Sequence, residues 1–163
     1  MTMDVALLLA TIRQDPTCRV FPPAGAPQVR PEHTVPDDMQ TFYRLCGGVA
    51  LFDDAVFRTI IGGPSEVVPA NPVIRFEEGA YDISWSWYLL ASDGTDSQRM
   101  TIDLDPTRLG RCYDSFWDRH AIAGSTTIIA RSFTEFLSRS YASKGTGLYW
   151  LRDDFVPLGD AYD

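Results

Sequence analysis

What this chain lacks narrows its class before any motif is read. Its uninterrupted hydrophobic stretches fall far short of the ~20 apolar residues that a membrane helix needs, so no span and no membrane partner are expected. Net positive charge is missing as well. Fourteen basic against 22 acidic residues leave −8, which disfavours nucleic acid because phosphates require a basic face. Lysine is nearly absent: thirteen basic residues are arginine and only Lys144 is not, a bias that points to a GC-rich, bacterial genome. Cysteine is sparse and unpaired in pattern. Cys18, Cys46 and Cys112 are widely spaced with no CxxC, and only His33 and His120 could join them. That argues against a zinc site or a disulfide scaffold and fits buried thiols in a reducing compartment, the cytoplasm. Met1–Ile12 has no basic flank ahead of its apolar run, and Asp4 lies within it, so no signal peptide is expected.

What is present is a folded chain of one-domain size. Its 163 residues are 45% hydrophobic and 22% charged, as in ordinary globular domains. The organising stretch is Ser84–Asp105. Its apolar runs, Trp85–Ala91 and Met100–Leu104, flank a polar connector containing Asp93-Gly94, which reads as a β-hairpin. Alternation places Met100, Ile102 and Leu104 inward and Thr101, Asp103 and Asp105 outward on an acidic surface. Glu77–Asp105 carries Glu77, Glu78, Asp82, Asp93, Asp96, Asp103 and Asp105 against Arg99 alone, a local charge of −6.

The elements around this hairpin can be read in order. Met3–Arg13 is expected to form an amphipathic helix with Val5, Leu8, Leu9 and Ile12 on one face and Thr2 as its cap. Residues 18–34 are expected to form a proline-rich surface arm, since Pro22, Pro23, Pro27 and Pro31 exclude helix and ladder strand. Val35–Gly48 carries the clearest helix signal. Pro36 and the Asp37-Asp38 pair suit its start, Met39, Phe42, Tyr43 and Cys46 share a face, and Gly47-Gly48 suits its stop. Short strands are expected at Ala50–Asp53, Val56–Ile61 and Gly110–Trp117. Ser132 and Glu135 form a capping box for a closing helix. Leu148–Leu151 suits a last strand or a docking segment, and residues 152–163 suit a solvated acidic tail. Consecutive strands with helices on one face imply an α+β fold.

Catalytic and metal motifs are weak. Ser115, Asp118 and His120 have the side chains of a hydrolase triad, but no Gly-x-Ser-x-Gly elbow surrounds the serine. His120 is better read as making a loop hydrogen bond or facing solvent. Asp93-Gly94-Thr95-Asp96 resembles part of a calcium loop, yet strands flank it and the closing glutamate is absent, so a hairpin connection is the better reading. Asp103 and Asp105 offer one strand face to a cation without a further ligand, and no carboxylate pair stands out for glycoside chemistry. Trp85, Trp87, Trp117 and Trp150 suit core packing or a partly buried rim better than a stacking platform. No catalytic residue, cofactor or metal is therefore assigned.

Several segments together resemble the SUKH superfamily, specifically its Smi/Knr-type members. Pro36, the acidic pair, Phe42 and Gly47-Gly48 are similar to that family's Leu-Pro…Phe…Asn-Gly-Gly helix. Asp93-Gly94 is similar to its central hairpin tip, and Ile129–Leu137 to its closing Ser-Phe-x-x-Phe-Leu helix. The match covers Val35–Ser143 in order, with Val35 for the usual leucine, Cys46 for the usual asparagine, and Thr95-Asp96 in place of glycines. The resemblance implies a mixed, largely antiparallel sheet with flanking helices and no shared catalytic residues. It further implies an immunity protein that binds and neutralises a bacterial toxin; the charge balance separately suggests a basic partner, with the seven acids named above as the candidate surface. A regulatory or scaffold module of the same fold is the alternative; a small-ligand binder or enzyme is the third reading.

Overall fold

The structure, a computed structural model, describes residues 4–163. Four helices, α1 (Val5–Arg13), α2 (Asp37–Leu45), α3 (Ala70–Ile74) and α4 (Phe133–Ala142), accompany seven strands. The strands are β1 (Arg19–Val20), β2 (Val49–Leu51), β3 (Thr59–Ile61), β4 (Trp87–Ser92), β5 (Arg99–Asp103), β6 (Cys112–Asp114) and β7 (Ile128–Ala130). They form one sheet in chain order, each strand antiparallel to the next. The fold is α+β. Among the described residues no parallel pair occurs, so the mixed pairing implied by the family resemblance gives way to an all-antiparallel sheet in chain order, even across the long β1–β2 and β3–β4 connections that carry α2 and α3.

Helices α1, α2 and α4 cover one face of the sheet. Val5, Leu8, Leu9 and Ile12 are the buried stripe of α1, as their spacing dictates. Asp4 caps this helix by accepting from Leu7 N at 2.9 Å; the expected cap Thr2, with Met3, lies outside the described residues. Met39, Phe42 and Tyr43 of α2 and Phe133, Phe136 and Leu137 of α4 close the core against Leu90, Met100 and Ile102. Burying each of these side chains contributes roughly 1.5–3 kcal/mol. Ser132 caps α4 by accepting from Glu135 N at 3.0 Å, while Glu135 reaches back to Arg131 N rather than to the cap's own amide. Helix α2 stops at the expected glycine pair, but one residue earlier than its buried face suggests. Cys46 swings to an extended backbone, and the left-handed position falls at Gly48, with φ +116°.

The opposite face is also covered, which overturns the expected acidic exterior. Trp87, Tyr113, Ile128 and Ala161 form a second buried cluster beneath the 115–126 loop and the C-terminal segment. Thr101 and Asp103 lie fully buried in the same layer. The 152–163 stretch is correspondingly not a free tail. Ala161 N donates to Thr126 O at 2.8 Å, Ile128 N to Gly159 O at 2.9 Å, and the Tyr162 hydroxyl to Asp82 at 2.7 Å. Leu148–Leu151 docks as a 3-10 turn rather than pairing as a strand.

The proline-rich arm begins with the two residues of β1, an edge position its prolines leave open. It then crosses to β4 and is fastened there. Arg30 N donates to the Tyr88 hydroxyl at 3.1 Å, and that hydroxyl lies 2.6 Å from His33 Nδ1. Tyr88 and His33 thus form a buried hydrogen-bonded pair. Burial lowers the His33 pKa accordingly.

Candidate functional site

The seven acids singled out in the sequence separate in space. Asp103 is buried, with no exposed side-chain surface. Pleating turns it, with Trp87 across the β4–β5 pair, onto the loop-covered face. Its Oδ1 accepts from Ser86 Oγ (2.6 Å) and Asp105 N (3.1 Å). Its Oδ2 accepts from Tyr113 Oη (2.6 Å), Trp87 Nε1 (3.1 Å) and Arg108 Nε (3.0 Å). Five donors from four segments saturate the carboxylate, as burial of a charge demands. Burial, and then the adjacent Asp103 charge, raises the Tyr113 phenol pKa, so Tyr113 stays a donor. Asp103 is a structural hub and leaves the docking set.

Asp114 repeats the device on the helix face. It accepts from Gln98 Nε2 (2.8 Å), Phe116 N (3.1 Å), Arg119 Nη2 (2.9 Å) and Trp150 Nε1 (3.2 Å). Two tryptophans that composition alone could not place, Trp87 and Trp150, are thus indole donors to buried carboxylates. Trp85 is half-buried and Trp117 exposed, so the four indoles form no platform.

The remaining acids are on the surface, and most are partnered. Glu77 pairs with Arg75 (3.1 Å), Glu78 with Arg30 (3.7 Å), Asp96 with Arg99 (3.1 Å) and Asp105 with Arg108 (3.5 Å). Burial alone would raise the Asp82 carboxyl, but hydrogen bonds from Ser84 and Tyr162 outweigh it and hold its pKa below the ordinary value. Asp93 accepts from Thr95 N and Oγ1, closing the hairpin tip on itself. Glu77, Glu78 and Asp82 share the α3–β4 loop, while Asp93 and Asp96 share the β4–β5 connection.

Ser115 and His120 do meet, without Asp118, which is exposed. The Asn71 amide nitrogen donates to Ser84 Oγ (2.9 Å) and Glu78 O (3.2 Å), so its oxygen faces His120 Nε2 at 2.7 Å as acceptor. His120 therefore carries its proton on Nε2, and Nδ1 accepts from Ser115 Oγ at 2.9 Å. Thr101 Oγ1 supplies Ser115 in turn, at 2.8 Å. The polarity is that of a Ser–His–Asn relay, but Ser115 and His120 have no exposed surface. The nearby amides are also engaged, Ser115 N with Arg99 O and Phe116 N with Asp114, leaving no oxyanion donor beside the serine. The chain ties the 115–126 loop to the α3–β4 loop. Asn71, 49 residues from His120 in sequence, had no local signal to announce it.

A groove of about 750 Å³ runs between the arm and α2, lined by Pro27, His33, Val35, Gln40, Tyr43 and Arg44. Its polar groups are largely committed: Tyr43 to Gly62 O, His33 to Tyr88, Gln40 to Val35 O. Among the described residues no cluster of three or more His, Cys, Asp or Glu could hold a metal ion, and no helix is long and apolar enough to cross a membrane.

The geometry is that of an α+β protein in which Asp103, Asp114 and other buried polar groups brace the loops, while most other acids and several aromatics face outward. The chain is 44% identical over 161 residues, covering 99% of itself and 97% of the relative, to immunity protein YokJ of Bacillus subtilis (strain 168). It belongs to that immunity-protein family. No protein-family model matches it, and no solved structure does.

Two outcomes test this account of the interior. Asp103→Ala strands four side-chain donors and should cost roughly 3–5 kcal/mol in denaturant unfolding, whereas Asp96→Ala, whose acid is fully exposed, should leave the midpoint nearly unchanged. Burial, with Arg75 nearby, lowers the His120 pKa from 6.5 to about 4. The unfolded chain therefore binds this proton between those values while the folded chain does not. Stability should fall as pH drops from about 6.5 to about 4, by roughly 3 kcal/mol from this group. His120→Gln should show a shallower decline across the same window; an identical slope would contradict the assignment.

Proposed function

We propose that this chain is an immunity protein that binds a bacterial toxin in the cytoplasm and neutralises it by covering its working surface, without catalysis of its own. The observation that carries the reading is near-full-length identity to an immunity protein. A net charge of −8 supports a basic target. A nuclease toxin is the natural case, because its cleft must be basic to bind phosphate, and an acidic inhibitor approaches such a cleft quickly by electrostatic steering. The proposed docking acids are Glu77, Glu78, Asp82, Asp93, Asp96 and Asp105, with Asp103 withdrawn as buried. Membership of the SUKH superfamily is part of the same proposal. Its support is the order of elements: α2 with its Gly47-Gly48 end, then β2, the Asp93-Gly94 hairpin tip, and the Ser132-capped α4.

Co-expression with the toxin encoded beside its gene is the direct test. Growth should be restored by this chain, and a toxin that stays lethal in its presence would remove the reading. In stopped-flow association, Asn or Gln at Glu77, Glu78, Asp82, Asp93 and Asp96 together should slow binding about tenfold at low salt and flatten its salt dependence. Unchanged kinetics would remove the acidic surface from the account.

A further inference from the structure

We infer that the loop from Val73 to Asp82 is an arginine-docking surface for a basic protein partner, an inference that rests on the toxin-binding reading and names where on the chain the contact falls. Three large apolar side chains are exposed within nine residues. Phe76 is 89% exposed, Tyr81 is entirely in solvent and Val73 is 38% exposed. Each aromatic is followed directly by an acid, as Phe76-Glu77 and Tyr81-Asp82. The loop is held in place rather than loose. Asn71 donates to Glu78 O, Asp82 N to Gly79 O, and Asp82 is fixed by Ser84 and Tyr162.

The occupant is indicated by an arginine that the neighbouring residues already hold. The Arg30 guanidinium lies 3.5 Å from the centre of the Trp85 ring, donates to Trp85 O at 3.1 Å, and sits 3.7 Å from the Glu78 carboxylate. An aromatic face beside a carboxylate suits the planar, delocalised cation of arginine and suits the compact ammonium of lysine less well. Phe76 with Glu77, which also meets Arg75, and Tyr81 with Asp82, whose Oδ2 also accepts from Ser84 N and the Tyr162 hydroxyl, carry the same two residue types on the solvent side. No arginine of this chain lies over either ring among the described residues. Arginine side chains of a basic partner would complete them, with the local acids supplying charge complementarity.

Backbone-amide NMR titration of the full chain with blocked hexa-arginine and hexa-lysine peptides tests the inference. Saturable shifts should concentrate in residues 73–85, and hexa-arginine should bind about fivefold tighter than hexa-lysine. The double variant F76S/Y81S should weaken hexa-arginine about tenfold, while D153N/D154N, in another acidic segment, should not. Both substituted aromatics are exposed, and an unchanged Tm confirms that the variant folds. Equal affinity for the two peptides, shifts spread over all the acids, or a double variant that binds like the parent would each overturn it. Neutralisation separates the two claims. If F76S/Y81S protects cells from the toxin as well as the parent does, this surface falls and the immunity reading stands. If the parent fails to protect while peptide selectivity holds, the immunity reading falls and the arginine site stands.

Discussion

The interaction on which the rest depends is the burial of the Asp103 carboxylate. A charge in the interior is tolerable only when its lone pairs are filled, and here five donors fill them. Those donors come from the turn before β4, from β4 itself, from β6 and from the β5–β6 connection. One side chain therefore fixes the relative placement of three strands and a loop. Asp114 does the same on the other face, where Trp150 and Arg119 bring in the segment after α4 and the 115–126 loop. The polar chain Thr101–Ser115–His120–Asn71–Ser84 completes the brace. The outcome is a sheet buried on both sides, by helices on one and by connections on the other.

That second layer explains which features were legible in the sequence. Helices α1, α2 and α4 were, because amphipathic spacing and caps are local: Val5, Leu8, Leu9 and Ile12, or Ser132 with Glu135, announce themselves within one or two turns, whereas the five-residue α3, with Pro72 inside it, gave no such signal. The central hairpin was too. The strand faces were misread at Asp103 because alternation assigns polar residues to solvent, and a buried carboxylate looks the same as an exposed one until its donors are known. Those donors lie up to 17 residues away. The bulge between Leu89 and Ala91 also shifts the pleat, so Leu90 and Ala91 both enter the helix-side core. The docked C-terminus was hidden for a related reason. Four aspartates suggest solvation, while Gly159, Asp160, Ala161 and Tyr162 all make contacts that hold it.

For the site, the sequence located the acids but not their condition. Glu77, Glu78, Asp96 and Asp105 each meet an arginine of this same chain, and ion pairs at the surface contribute little while muting the local field. Charge density alone is thus a poor guide to a docking point. Exposed aromatics beside acids, at Phe76 and Tyr81, are more specific because a partner gains both apolar burial and ion pairing there. Bracing from below matters for the same reason. A loop already ordered by Asn71, Ser84 and Tyr162 loses little conformational freedom on binding.

The central claim is that the braced loop side of the sheet, and not its helical side, meets the partner. Hydrogen exchange of the chain, free and bound to a toxin against which it protects cells on co-expression, measures this most directly. The account predicts slowed exchange in residues 73–82 and at the 93–98 connection, with α1 and α4 unchanged. Slowing confined to α1 and α4, with both loops exchanging as in the free chain, would contradict it.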